Sequence, residues 1–83
     1  MLASYAGVYE LAPTSRSTVR QRAGQLFVQA TGQSEFETEA VSAVLFALKS
    51  VPVQVEFVKN SAGHVAQLML HQGGHHQPGA KVE

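Results

Sequence analysis

The residues of this chain best equipped for chemistry gather near its C-terminal end. His71, His75 and His76 fall within a six-residue stretch, and His64 stands at the start of the segment that ends in His71. Neutral imidazoles in a cluster take zinc, nickel or copper. A resident metal needs fixed geometry and an outer partner for each ring, which a Gly73-Gly74 connection supplies poorly. His64 lies a strand's length from His71. His71, His75 and His76 are therefore the candidate metal ligands, to be weighed against an exposed polar loop that binds metal adventitiously.

Two further groups of like charge stand closer to the N-terminus. Glu35, Glu37 and Glu39 are two apart, so in a strand all three carboxylates share one face. Calcium wants six or more convergent oxygens, and the plainer reading is a solvated face. Arg16, Arg20 and Arg22 form either an anion-binding stripe or a charged edge strand that discourages edge-to-edge pairing. The edge strand is the better reading, because no other basic residue sharpens the field. The chain has no cysteine, which excludes disulfides, thiol nucleophiles and cysteine-bound zinc. No glycine-rich phosphate cradle follows a strand and opens a helix, so nucleotide binding has no support.

Something must position these groups, and composition limits what that can be. The chain has 83 residues with 45% hydrophobic content, and six acidic side chains balance six basic ones. One domain of this size buries roughly 60% of the surface its unfolded chain exposes. Zero formal charge gives no long-range attraction for nucleic acid or an anionic membrane. It also favours association. No apolar run approaches a membrane span, and no signal-peptide pattern opens the chain, so the expectation is a soluble protein.

The organising element is a β-hairpin from Val53 to Gln72. Val53, Val55 and Phe57 alternate with Gln54 and Glu56, Asn60 to Gly63 carry turn chemistry, and Ala66, Leu68 and Leu70 resume the alternation. A lone hairpin is marginal in water, so the other segments must complete its sheet. Leu2 to Tyr5 suits a helical turn, Val8 to Leu11 a strand, and Ser17 to Arg22 with Leu26 to Thr31 a second hairpin about Ala23-Gly24. Ser34 to Lys49 is ambiguous. A capping box at Ser34 to Glu37, a closing Lys49 and a face of Phe36, Ala40, Ala43 and Ala47 favour a helix. Alternation over Phe36 to Glu39 and over Val44 to Leu48 favours two strands about a turn at Ala40 to Ala43. Gly73 to Gly79 reads as a loop and Ala80 to Glu83 as a last short strand.

The opening Leu2-x-x-Tyr5-x-Gly7-x-Tyr9-Glu10-Leu11, the phrase Gln25 to Gln33, and Gly63 to Gln72 followed by Ala80-Lys81 together resemble one family. It is DUF3471, the small C-terminal domain of many serine β-lactamase-like hydrolases of the class C and penicillin-binding-protein-related group. The resemblance implies that residues 1–83 are one accessory β domain and that Phe36 to Lys49 is two strands with an intervening turn. It implies as partner a β-lactamase-like catalytic domain, and a periplasmic or secreted location if the parent hydrolase is exported. The Gly-Gly-His-His segment departs from the family's polar turn with an acidic or basic residue, so no role carries over to it.

Those hydrolases use a Ser-x-x-Lys nucleophile and a Tyr-x-Asn or Ser-x-Asn element. Ser15, Ser42, Ser50 and Ser61 have no lysine three residues on, and neither tyrosine has the required asparagine. His71-Gln72-Gly73 matches the His-x-Gly form of the third motif, but a tripeptide without its nucleophile is coincidence, since such groups act as a unit. The expected fold is mostly β: a curled antiparallel sheet or a small lipocalin-like barrel, complete or incomplete, of about seven strands. The expected function is non-catalytic and without cofactor, through substrate access or protein–protein association, including self-association. Phe27, Leu45, Val58 and Met69, on the outward alternation, are the candidate interface. A small-ligand carrier is the alternative, with Tyr5, Tyr9, Phe27, Phe36, Phe46 and Phe57 lining a pocket, although so short a chain favours a filled core. A histidine metal module is the third reading.

Overall fold

The structure is a computed structural model that describes residues 2–83, with the side chains of residues 2 and 3 outside the description. A single 3₁₀ turn, Leu2–Tyr5, precedes eight strands: β1 (Gly7–Ala12), β2 (Ser15–Arg22), β3 (Gln25–Ala30), β4 (Glu35–Ala40), β5 (Leu45–Leu48), β6 (Val53–Lys59), β7 (Val65–Gln72) and β8 (His75–Lys81). Each strand pairs antiparallel with the next, and β8 returns to β1, so the sheet closes into a barrel. Eight strands therefore replace the expected seven, and the barrel is complete. The last strand also begins earlier than expected: residues 75–79, read as loop, join Ala80 and Lys81 in β8. Gly73 and Gly74 alone make the turn, both at positive φ (57° and 81°), as a two-residue hairpin connection requires.

Closure also corrects the reading of the arginine segment. β2 pairs with β1 on one side and β3 on the other, so it is no edge strand.

Ser34 to Lys49 folds as β4 and β5, against its helical signals. The helical face would have buried one phenylalanine and three alanines, too little apolar area to hold it. As strands the segment puts Thr38 and Phe46 in the interior, where the Thr38 hydroxyl donates to the Leu26 carbonyl at 2.9 Å. The residues that imitated helix caps serve the hairpin instead. Lys49 Nζ lies 3.3 Å from Glu37 Oε2, and the Lys49 amide donates to the Glu37 carbonyl at 2.9 Å.

One end of the barrel is plugged. The 3₁₀ turn lays the Tyr5 ring flat on Phe57 with centroids 4.3 Å apart, and Phe46 meets both rings edge-on. Tyr9, Val19, Leu26, Val55 and Leu68 are nearly sealed from solvent beside them. The tyrosine hydroxyls are satisfied locally: Tyr9 donates to the Tyr5 carbonyl and Tyr5 to the Ala43 carbonyl, each at 2.7 Å. The filled core expected from chain length is real, but it occupies this half only.

Candidate functional site

At the other end the interior opens. A cavity of about 410 Å³ is lined from every strand and from the β5–β6 connection. Its apolar wall includes Leu11, Val28, Phe36, Leu48 and Leu70, and Ser15, Ser17, Gln33, Gln72 and Gln77 supply neutral polar groups. These are inward positions of the alternating pattern. On the plugged side, where β1 and β8 bring Tyr9 and Gly79 inward, the rings fill the interior apart from a recess of about 220 Å³ bordered by Leu26, Thr38 and Phe46; toward the turns after β1, β3, β5 and β7 lies the larger space. Of the six aromatics grouped as pocket lining, only Phe36 borders this cavity. Tyr5, Tyr9, Phe46 and Phe57 form the plug, and Phe27 lies outside beneath Arg22, whose guanidinium carbon sits 4.1 Å from the ring centroid.

The histidines are divided by the register of β7 and β8. His71 pairs directly with His76, and Gln72 with His75. Successive strand residues point to opposite faces, so His71 and His76 meet outside the barrel while His75 is turned away from them. His71 Nδ1 and His76 Nδ1 are in hydrogen-bond contact, and His71 Nε2 lies 3.0 Å from Glu56 Oε1. In the neutral tautomer that satisfies both contacts, His71 Nε2–H donates to Glu56 and His71 Nδ1 accepts from His76. This is the carboxylate-oriented imidazole arrangement that fixes a ring. Two of the three candidate ligands are thus brought together, with Glu56 as an outer partner that periodicity alone did not single out. Among the described residues no three metal-ligating side chains converge. His64 follows the β6–β7 turn at the plugged end, where its amide donates to Asn60 Oδ1.

The carboxylate face is largely neutralised. Glu35 receives a two-pronged contact from Arg22, at 2.6 and 3.2 Å, and a third from Arg20 at 2.9 Å. Glu37 faces Lys49. Arg16 stands apart from the other two arginines, near Glu10 and Glu83. The hydrogen bond from Arg22, reinforced by that from Arg20, holds the Glu35 carboxyl below the usual carboxylate range, and the same bond raises Arg22. A lowered folded-state pKa adds stability that is complete above the ordinary carboxylate pKa and is lost as pH falls through the lowered value. An NMR titration should place Glu35 below the ordinary carboxylate range, and Arg22→Ala should return it toward that range further than Arg20→Ala. Equal shifts from the two variants would contradict the two-pronged contact.

Of the candidate interface residues, Leu45, Val58 and Met69 lie on the outward faces of β5, β6 and β7, where Glu56 pairs with both Leu45 and Met69. Phe27 is on β3, with β4 between it and the others. All four are half-buried.

Ser17 is the residue that sequence reasoning passed over. It is 3% exposed, lines the cavity, and its hydroxyl has no protein partner among the described residues, while no buried side-chain oxygen there is both sealed and unsatisfied. Its alternation with Val19 could have marked it as inward; nothing local could have marked it as facing a cavity. Neither the curated proteins nor the solved structures provide a match to this chain. The family model described as Domain of unknown function (DUF3471) matches residues 1–81, and the chain belongs to that family.

Proposed function

We propose that this barrel is a non-catalytic accessory domain of the serine β-lactamase-like hydrolase type, and that its open end is the working face, acting in substrate access. The observation that carries the reading is the asymmetry of the interior: aromatic rings fill one end, while the other presents a cavity of about 410 Å³. That volume is in the range of small-molecule sites, which commonly occupy the mouths of β-barrels. Among the described residues the wall has apolar and neutral polar groups and no nucleophile–base pair, which supports a domain that holds or guides a molecule rather than transforming it.

Self-association through Leu45, Val58 and Met69 is the competing use of the surface. Light scattering on the chain and on Met69→Lys at micromolar concentration separates the two. A monomer in both cases, with no saturable hydrolysis of p-nitrophenyl butyrate, fits the open-end reading. A dimer that Met69→Lys dissociates would move the function to the outer face, and saturable turnover would overturn the non-catalytic reading.

A further inference from the structure

We propose that the open-end cavity is a binding site for an uncharged, mainly apolar small molecule carrying one hydrogen-bonding group, and that the Ser17 hydroxyl is the group that receives it. The inference rests on the open-end reading above and adds the ligand class and the residue that selects it.

The wall decides the charge of the ligand. No acidic or basic side chain is among the described residues lining the cavity. A carboxylate or ammonium group drawn inside would lose water without gaining a counter-ion, which strongly disfavours it. Apolar surface entering against Val28, Phe36, Leu48 and Leu70 is favoured instead.

Ser17 decides where the polar atom goes. Along β2 the inward positions run from Ser15 at the mouth through Ser17 to Val19 in the plugged half, so Ser17 sits where the open interior meets the filled one. Its neighbours across the sheet are Tyr9 on β1 and Ala30 on β3. The Tyr9 hydroxyl is committed to the Tyr5 carbonyl, and Ala30 is too short and apolar to offer a partner. A polar group on a residue this buried normally bonds to protein or to an ordered water. Among the described residues this one has no protein partner, and it borders the cavity, so its donor and acceptor are left for whatever enters. Ala30 leaves room beside it. The amides at the rim meet the end of the ligand nearer solvent, and Gln77 already donates weakly to the Leu11 carbonyl at 3.3 Å.

The test uses three probes of nearly one shape: 2-naphthol, naphthalene and 2-naphthoate. Each is titrated into the isotopically labelled chain at neutral pH while amide shifts are followed. The expected result is that 2-naphthol moves the amides of Ser17, Val28, Leu48 and Leu70, naphthalene binds the same place more weakly, and 2-naphthoate does not bind there. Ser17→Ala should weaken 2-naphthol about tenfold, the usual value of one hydrogen bond, and leave naphthalene unchanged. Ala30→Phe, which fills the space beside Ser17, should abolish both; its dispersed spectrum serves as the folding control.

Naphthoate binding as tightly as naphthol, Ser17→Ala leaving naphthol binding intact, or binding that survives a folded Ala30→Phe variant would each overturn the proposal. A monomer that binds none of the three also overturns it and leaves the accessory reading standing. Mouth binding by a chain that dimerises through Met69 would sustain the site and remove the substrate-access role.

Discussion

Phe57→Ala should come close to unfolding this protein. The ring is 2% exposed, stacks on Tyr5, and lies 5.7 Å from the Phe46 ring and 5.9 Å from the Tyr9 ring, so it is the common contact of the plug. Removing a buried phenylalanine to alanine costs about 3–5 kcal/mol, because transfer energy and an unfilled cavity add. A domain of this length has roughly 4–12 kcal/mol in total, at about 0.05–0.15 kcal/mol per residue. Urea denaturation should show the midpoint falling by the corresponding amount, with the melting temperature dropping roughly 4–8 °C for each kcal/mol. Phe57→Leu, which keeps most of the volume, should cost about 1.5 kcal/mol or less. An alanine variant with a near-native midpoint would mean that the aromatic plug is not the principal source of stability.

The second large effect lies in alkali and belongs to Tyr9. Burial, with a smaller contribution from Tyr5, pushes the Tyr9 phenol up to about 12 from its ordinary 10. A folded-state pKa above the unfolded value means that the folded chain retains its proton while the unfolded chain has begun to lose it. The associated stability is therefore full below pH 10 and is lost as pH rises toward 12, amounting to roughly 2–3 kcal/mol across that window. Tyr9→Phe removes the titrating group and the 2.7 Å hydrogen bond to the Tyr5 carbonyl. It should be less stable than the native chain at neutral pH by about 1–2 kcal/mol and lose less on alkalinisation. The difference between the two proteins, taken pH by pH from urea midpoints, cancels whatever is common to both. A constant difference from pH 8 to pH 12 would refute the assignment.

The first effect comes from a residue that alternation had already marked. Val53, Val55 and Phe57, then Ala66, Leu68 and Leu70, declared one face of the β6–β7 hairpin; the observed pairing of Val55 with Leu70 and Phe57 with Leu68 follows that pattern, but the register shift at Val58/Lys59 buries Val65 and leaves Ala66 exposed. Period two legislates which side of a strand is buried, and turn residues such as Asn60 to Gly63 and Ala23-Gly24 set where strands reverse. The residues could therefore be sorted into inward and outward sets, and the family could be recognised, without coordinates.

Local signals failed where two structures satisfied them about equally. Ser34, Glu37 and Lys49 suit a helix cap and terminus as well as they suit a cross-strand hairpin, and the choice fell to β3 and β6, which needed strands beside them. Gly73 to Gly79 looked like a loop because glycine and proline punctuate it, yet Pro78 and Gly79 are accommodated within β8. Pairing with β7 decided that outcome, and with it the separation of His75 from His71 and His76.

What the sequence alone determined was the strand-forming alternation, the hairpins and the neutral, cysteine-free chemistry available. Only the tertiary structure decided that β8 would reach β1, that Glu56 would meet His71, and that Ser17 would end at the base of an open cavity. The reason is physical. Alternation assigns a side to each residue from its nearest neighbours in the chain, whereas closure and interior volume depend on residues many positions apart, whose meeting no local pattern encodes.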